Sequence, residues 1–179
     1  DSHCNNLLQN ITGSGGRLIL FYNYTVNLSN LILSELILCN ADNSTLDNIT
    51  IQGSDNLKNN MLCIQRTENT TVSWINSSYN RIGILLLYSD NNTLVNLTSN
   101  YNNISGIYLY YSDNNTLVNL TSNYNNISGI HLYSSNHNNL KDITVGSNEI
   151  GISVWSSSYY NTINSVLATA NGWGINIED

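Results

Sequence analysis

The sequence has no proline, one phenylalanine and one methionine, and only 9% of its 179 residues are charged. An ordinary soluble protein has about 25% charged residues. The net charge is −7, and the few cations are scattered along the chain at Arg17, Lys58, Arg66, Arg81 and Lys141. Neutralising phosphates requires a clustered basic face, so nucleic-acid binding is not expected. No apolar run approaches the roughly 20 residues of a membrane helix, so no membrane span is expected.

Small uncharged polar residues take the place of the missing charges. The chain contains 35 Asn, 23 Ser and 14 Thr, together with 23 Leu and 20 Ile. This much Leu and Ile is too apolar for a disordered chain. The length is sufficient for one domain with a core of its own.

A repeat of about 23 residues organises the chain. Residues 83–105 and 106–128 are identical at 21 of 23 positions, and 129–150 and 151–173 keep the same frame. Glycines mark the start of each unit at Gly83, Gly106, Gly129, Gly151 and Gly174. Weaker units occupy 18–35, 36–60 and 61–82. A fixed period in the twenties indicates a solenoid, in which each unit buries its apolar face against its neighbours.

Short alternating segments within each unit predict strands and exclude a helical solenoid. Aligned apolar positions form the rows Ile84/Ile107/Ile130/Ile152, Leu86/Leu109/Leu132/Val154, Leu94/Leu117/Leu140/Ile163 and Leu97/Leu120/Ile143/Val166. A third apolar point, Ile104/Ile127/Ile150, suggests a roughly triangular coil of strands. No 12-residue window has a capped helical stripe, and the regular leucine-rich pattern is absent. We therefore predict an all-β parallel β-helix over 18–179, preceded by a segment 1–17 that partly caps one end.

The unit G-I-x-L-x-x-S-x-x-N-x-[LI] resembles the parallel β-helix repeat of NosD-like proteins. The same repeat occurs in polysaccharide lyases and in surface-layer and adhesin-like proteins of methanogenic archaea. The resemblance is strong over 83–179 and weaker over 18–82. It implies a right-handed β-solenoid, here of about 7 coils of 22–25 residues, and an extracellular location. It does not imply one activity, since the fold carries enzymes, binding modules and wall proteins.

One row of asparagines has a structural explanation. Asn92, Asn115, Asn138 and Asn161 follow one another at intervals of 23 residues. At the strand spacing of about 4.8 Å, each side chain can donate and accept along the solenoid axis. We interpret this row as an asparagine ladder.

Sequons and cysteines indicate an extracellular compartment. Thirteen Asn-X-Ser/Thr sequons occur, at Asn10, Asn23, Asn27, Asn43, Asn48, Asn69, Asn76, Asn91, Asn96, Asn103, Asn114, Asn119 and Asn126. About seven to eight would arise by chance in this composition. The three cysteines, Cys4, Cys39 and Cys63, match no zinc or redox motif. One disulfide with an odd thiol, or an intermolecular bridge, is expected, and the spacing does not select the pair.

The sequence offers no convincing catalytic or metal site. Asp90 and Asp113 stack one coil apart, but the next position in their row is Asn136, and no Arg or Lys lies in register with them. They are interpreted as turn residues at a solvated corner. The histidines His3, His131 and His137 are separated in sequence and lack carboxylate partners at matched spacing. The chain is therefore predicted to be non-enzymatic, without metal or cofactor.

An outward aromatic face is the stronger functional signal. The two outward rows of the first strand are Leu85/Tyr108/His131/Ser153 and Leu87/Tyr110/Tyr133/Trp155. They place Tyr108, Tyr110, His131, Tyr133 and Trp155 on one flat sheet. Such rings form a ladder that stabilises the sheet, a protein contact or a platform for sugars.

Two functions from different classes follow. The first is a structural protein: an N-glycosylated β-solenoid that associates head to tail with copies of itself into an extracellular filament, sheath or surface layer, because the final unit opens a fresh strand. The second is a carbohydrate-binding or adhesin module that holds polysaccharide on the aromatic face. A polysaccharide lyase is a distant third.

Overall fold

The structure, a computed structural model, describes residues 4–54 and 56–178, whose strands form two sheets that the chain visits in alternation. The first sheet contains β1 (Ile11–Thr12), β2 (Leu18–Tyr22), β4 (Glu35–Cys39), β6 (Leu62–Gln65), β9 (Ile84–Leu87), β11 (Ser105–Tyr110), β13 (Ser128–Tyr133), β15 (Ile150–Trp155) and β17 (Trp173–Glu178). The second contains β3 (Asn27–Leu33), β5 (Thr45–Gln52), β7 (Thr71–Ser73), β8 (Asn76–Ser78), β10 (Thr93–Thr98), β12 (Thr116–Thr121), β14 (Asn139–Gly146) and β16 (Thr162–Thr169). Over the described ranges, no helix is long and apolar enough to cross a membrane.

Neighbouring strands come from successive repeats and pair in parallel. Ile107 of β11 is the partner of Ile84 in β9 and of Ile130 in β13. The first sheet has eight such strands from β2 to β17, separated by seven steps of one repeat. The predicted parallel β-helix is therefore confirmed.

The core lies between the two sheets and consists of the predicted apolar rows. Ile84, Leu86, Leu94 and their counterparts in the next two coils are fully buried. Because side chains of a strand alternate in direction, one face of each strand fills this core and the other faces outward. The rows extend into the last coil, where Ile163 and Val166 are half-buried.

The predicted third side of the coil is wrong. The Ile104 and Ile127 positions lie where the chain returns from the second sheet to the first, and Ile150 is the first residue of β15. The described strands form two sheets only. Ile127 is 42% exposed. Main-chain hydrogen bonds still link this row, since the N–H of Ile127 donates to the carbonyl of Ile104 at 2.9 Å. An apolar row at a turn therefore mimics a strand in the sequence.

Tight packing between coils explains the repeated glycines. A Cβ added at Gly106 would lie 2.7 Å from the carbonyl oxygen of Ser99 and 2.8 Å from that of Gly129. Such distances are shorter than a carbon atom tolerates, so the space admits only glycine.

The N-terminal segment lies against the first coil. β1 runs antiparallel to β2 and covers its outer edge, with Ile11 opposite Ile19. A disulfide joins Cys4 to Cys39 in β4, with the Cα atoms 5.6 Å apart. The Asn23 Nδ2 donates to the carbonyl of Cys4 at 3.1 Å. Residues 1–3 of the predicted cap, including His3, lie outside the described residues.

Candidate functional site

Strand register brings the five residues of the aromatic face together on the outside of the first sheet. Tyr108 pairs with His131, and Tyr110 with Tyr133. His131 is followed in its row by Ser153, and Tyr133 is followed by Trp155. These side chains are half-buried, except that Ser153 is buried.

The rings of this face stack on one another rather than lie open. Tyr110 and Tyr133 have ring centroids 5.1 Å apart and planes 11° from parallel. Tyr108 lies 4.7 Å from the His131 ring, and His131 meets Trp155 edge to face at 5.4 Å. Ring faces that cover each other in this way stabilise the sheet and leave mainly edges and hydroxyls for solvent.

Burial alters the chemistry of two groups on the aromatic face. It lowers the pKa of His131 to about 4. The His131 Nε2 is buried without a hydrogen-bond partner among the described residues. Burial, followed by the proximity of Tyr110 and Tyr133, raises the pKa of Tyr108 to about 12. Both groups are therefore uncharged at neutral pH.

Two further tyrosine ladders lie at the corners, and the sequence reasoning missed them. Tyr88 and Tyr111 stack at 5.4 Å, and Tyr111 also meets Tyr110 edge to face at 4.7 Å. At the other corner the chain stacks Tyr79 on Tyr101 at 5.0 Å and Tyr101 on Tyr124 at 4.8 Å. All five of these corner tyrosines have positive φ, between 49° and 62°. The left-handed conformation costs a non-glycine residue roughly 1–2 kcal/mol, which ring stacking offsets in part.

The asparagine row at Asn92 runs through the interior as a hydrogen-bonded ladder. The main-chain N–H of Asn92 donates to the Oδ1 of Asn115 at 2.9 Å, and Asn115 does the same to Asn138 at 2.8 Å. The Asn115 Nδ2 donates in the opposite direction, to the carbonyl of Ser89 at 3.0 Å. The last member of the row is Asn161, whose Oδ1 accepts from the N–H of Asn138 at 2.8 Å.

A second internal ladder has the same bonding pattern and was missed. Its members follow one another at 22 or 23 residues: Asn80, Asn102, Asn125, Asn148 and Asn171. The Asn102 N–H donates to the Oδ1 of Asn125 at 2.9 Å. Its period is visible in the sequence, but several asparagines share each turn and the period alone does not indicate which one points inward.

The two stacked carboxylates act on the main chain of the neighbouring coil. The N–H of Asp113 donates to the Oδ1 of Asp90 at 2.7 Å, and the N–H of Asn136 donates to the Oδ1 of Asp113 at 2.6 Å. Both aspartates are half-buried at the corner. Their position suits a turn residue better than an acid–base pair, because one oxygen of each is already used by the backbone.

Cys63 and His137 do not extend the aromatic face into a larger site. Cys63 is a buried free thiol, and burial, with a smaller effect of the Glu35 carboxylate, raises its pKa to about 12. His137 is exposed and stacks on Tyr160 at 4.9 Å. The described residues contain no group of three or more His, Cys, Asp or Glu side chains arranged to hold a metal ion.

The sequons are distributed on the outer surface. Twelve of the thirteen sequon asparagines are exposed, and the thirteenth, Asn96, is half-buried. Eight other asparagines are buried, and none of them is the acceptor asparagine of a sequon: Asn60, Asn80, Asn92, Asn102, Asn115, Asn125, Asn138 and Asn148.

A comparison with protein families finds a match over nearly the whole chain. The family model described as "Periplasmic copper-binding protein (NosD)" matches residues 5–167. Among curated proteins, none matches this chain.

A comparison with solved structures finds epimerases at low sequence identity. A double mutant of the periplasmic alginate epimerase AlgG has a TM-score of 0.56 and 12% identity, over 92% of this chain and 50% of that one. The AlgE6 A-module, a mannuronan C-5 epimerase of Azotobacter vinelandii, has a TM-score of 0.40 and 12% identity, over 91% of this chain and 57% of that one. The chain thus spans about half the length of AlgG. At such identities, the likeness to AlgG shows the fold alone.

Proposed function

The chain belongs to the NosD family, and from that premise we propose that it is a non-enzymatic structural β-solenoid of the cell exterior whose surface carries N-linked glycans. The family is described as periplasmic, and the fold is a parallel β-helix. Beyond the family and the fold, the proposal is that the solenoid is a rigid rod that carries N-linked glycans.

The separation of the asparagines into two classes carries the proposal. Inward asparagines serve the internal ladders, and none of the buried ones is the acceptor asparagine of a sequon. Sequon asparagines lie on the outside, where a bulky sugar has room. If the sequons arose only from an asparagine-rich composition, some would be expected among the buried positions.

The use of the polar side chains supports a non-enzymatic function. The internal asparagines bond to the next coil, and Asp90 and Asp113 accept main-chain N–H groups. The aromatic face is a set of stacked rings, which favours a ladder over an open platform for sugars. Binding of polysaccharide by this face is the alternative function, and calcium-dependent release of unsaturated sugars would indicate a lyase.

Copper, which the family description names, does not fit the described donor set. A copper site of imidazole and thiolate ligands needs several such groups at one place. Here His131 packs between Tyr108 and Trp155, and Cys63 is buried in another coil. With no cluster of three possible ligands among the residues that the structure describes, we derive no role for copper.

Glycopeptide mapping of the protein isolated from its native cells tests the proposal. Trypsin is expected to release residues 67–81 and 82–141, which together contain eight sequons. We expect a glycan on each exposed corner row, at Asn91 or Asn114 and at Asn103 or Asn126. If every exposed sequon on these two peptides is bare, the glycosylated rod is wrong.

Head-to-tail self-association remains a separate part of the proposal. In the last coil, β17 exposes the inward-row residues Ile175 and Ile177, which a further coil would cover, whether from the same chain or from a second copy. Electron microscopy of the undenatured protein is expected to show fibres with an axial repeat of about 34 Å, seven coils at about 4.8 Å each. Discrete short rods would contradict this part alone.

A further inference from the structure

A groove of about 400 Å³ opens on the outside of the second sheet, next to the first tyrosines of one corner ladder. It lies where Trp74, with a φ of 54°, separates β7 from β8. The floor is the row Thr50, Asn76 and Thr98, which the strand register places side by side. The volume is within the range of small-ligand sites, about 300–1,000 Å³.

Tyrosines form one wall of this groove. Tyr79 and Tyr101 stack with their rings 6° from parallel. Tyr79 is the first ring of its ladder, because the preceding coil has Gly53 at the neighbouring position, without a side chain to cover the ring. The Lys58 ammonium lies 5.9 Å from the Tyr79 ring centroid, but no charged side chain lines the groove itself.

Neutral hydrogen-bonding groups complete the lining. Gln52 and Asn100 contribute amides, and Thr50 and Thr98 contribute hydroxyls. An aromatic wall together with amides and hydroxyls suits an uncharged sugar, whose C–H faces pack on rings while its hydroxyls exchange hydrogen bonds.

Asn76, in the floor of the groove, is also a sequon asparagine. The Oγ of Ser78, the third residue of the sequon, donates to the Oδ1 of Asn76 at 2.7 Å. The Asn76 Nδ2 makes no hydrogen bond with the described residues, so the atom that would carry a glycan is free. The side chain is exposed.

We propose that this groove holds the first sugars of a glycan attached to Asn76. The inference rests on the proposed N-glycosylation and adds a defined binding site for one glycan. Attachment forms a bond from Nδ2 to the anomeric carbon of an activated sugar, with loss of one amide proton and of the donor's phosphate or pyrophosphate. The covalent tether keeps the sugar at a high effective concentration beside Tyr79 and Tyr101, so even weak contacts hold it in place.

The test compares two sequons of one tryptic peptide. Residues 67–81 contain Asn76 and also Asn69, which is exposed but does not line the groove. The full chain is secreted from a eukaryotic host and treated, still folded, with peptide-N-glycanase. We expect both sites to carry glycans and the Asn76 glycan to be released about tenfold more slowly, a factor that equals about 1.4 kcal/mol. After denaturation the two rates should be equal.

Matched variants distinguish binding of the glycan in the groove from a general effect on stability. Tyr79→Ala should raise the native release rate at Asn76 to that at Asn69. Tyr124→Ala shortens the same ladder but lies outside the groove, and it should leave the release at Asn76 slow. Far-ultraviolet circular dichroism checks that both variants fold.

Three results would contradict binding of the Asn76 glycan in the groove: Asn76 bare while Asn69 is occupied, equal native release rates at the two sites, or slow release that persists in Tyr79→Ala. The proposed glycosylated rod fails by a different result, bare sequons on the protein from native cells, so the two failures are distinguishable.

Discussion

Single asparagine residues connect three coils at once. The Oδ1 of Asn115 accepts the N–H of Asn92, its Nδ2 donates to the carbonyl of Ser89, and its own N–H donates to Asn138. Asn115 is fully buried. Because water cannot replace these bonds, the amide is expected to contribute more to stability than an exposed one.

Asn115→Ala leaves the N–H of Asn92 and the carbonyl of Ser89 buried and unpaired. Each unpaired group costs about 1–3 kcal/mol, so we expect a loss of about 2–6 kcal/mol in the free energy of unfolding, measured by urea denaturation. Asn139→Thr is the control, since Asn139 is exposed and its row neighbours Thr116 and Thr162 are already threonine. Equal midpoints for the two variants would contradict the importance of the ladder.

Stability is expected to fall on acidification because of His131. Its folded pKa of about 4 lies below its unfolded value, so between pH 6.5 and 4 the unfolded chain binds a proton that the folded chain does not. The free energy of unfolding therefore falls as the pH drops below the unfolded pKa, and the fall is complete near pH 4. Since the ring is half-buried, we discount the full shift and expect about 2 kcal/mol.

Thermal unfolding across this pH range checks the effect of His131. His131→Tyr continues the Tyr108 row and should flatten the pH dependence relative to the unmodified chain. His137→Asn, at an exposed corner, should keep it. A His131→Tyr chain with unchanged pH dependence would show that His131 does not cause the acid loss.

At the scale of strands and turns, the repeated glycines differ in how closely the neighbouring coils approach them. A Cβ at Gly106 meets main-chain oxygens of Ser99 and Gly129, which cannot move without separating coils. At Gly174, in the same repeat position, a Cβ would meet only the Cβ of Ala168 at 3.7 Å.

Gly106→Ala is therefore expected to destabilise the chain by about 3 kcal/mol or more, while Gly174→Ala should change stability by less than about 0.5 kcal/mol. Urea midpoints of the two variants measure the difference. A Gly106→Ala chain as stable as the Gly174→Ala chain would show that the coils separate more easily than this packing implies.

The aromatic face allows a direct measurement of ring stacking. Tyr110→Ala and Tyr133→Ala, alone and together, are expected to give a coupling energy of about 0.5–1.5 kcal/mol in a double-mutant cycle. Tyr110 with Tyr159 is the control pair, since no ring contact joins them. If the double variant instead retains its stability but loses retention on a polysaccharide column, the alternative binding function is favoured.

The sequence predicts the coil but not every turn. The 23-residue period and the alternation of Ile84 and Leu86 indicate the strands and their inward rows, because burial follows directly from apolar spacing. The sequence wrongly predicts a third strand at Ile104 because an apolar row at a turn has the same period. The corner tyrosines were missed because the left-handed conformation is normally assigned to Gly, Asn or Asp, and ring stacking between coils is not visible in a single repeat.

For the whole molecule, the spacing of coils limits how many glycans one side of the rod carries. Within residues 82–141, three pairs of sequons lie in the same rows of adjacent coils: Asn91 with Asn114, Asn96 with Asn119, and Asn103 with Asn126. Members of a pair are one strand spacing apart, about 4.8 Å. In two pairs the later Nδ2 already donates to the earlier Oδ1, from Asn119 to Asn96 at 2.6 Å and from Asn126 to Asn103 at 3.1 Å.

Because a glycan is bulky and both members of a pair share the width of one strand, we expect one glycan for each pair. No Lys or Arg interrupts residues 82–140, so the tryptic peptide 82–141 carries all six sites and its intact mass gives their number. At most three glycans are expected on it in the protein from native cells. Asn76 on the peptide 67–81 is the control, since its row neighbours Thr50 and Thr98 are not sequon asparagines, and it should be occupied. A peptide 82–141 with four or more glycans would show that stacked sugars fit side by side, and that the glycan coat is denser than the coil spacing suggests.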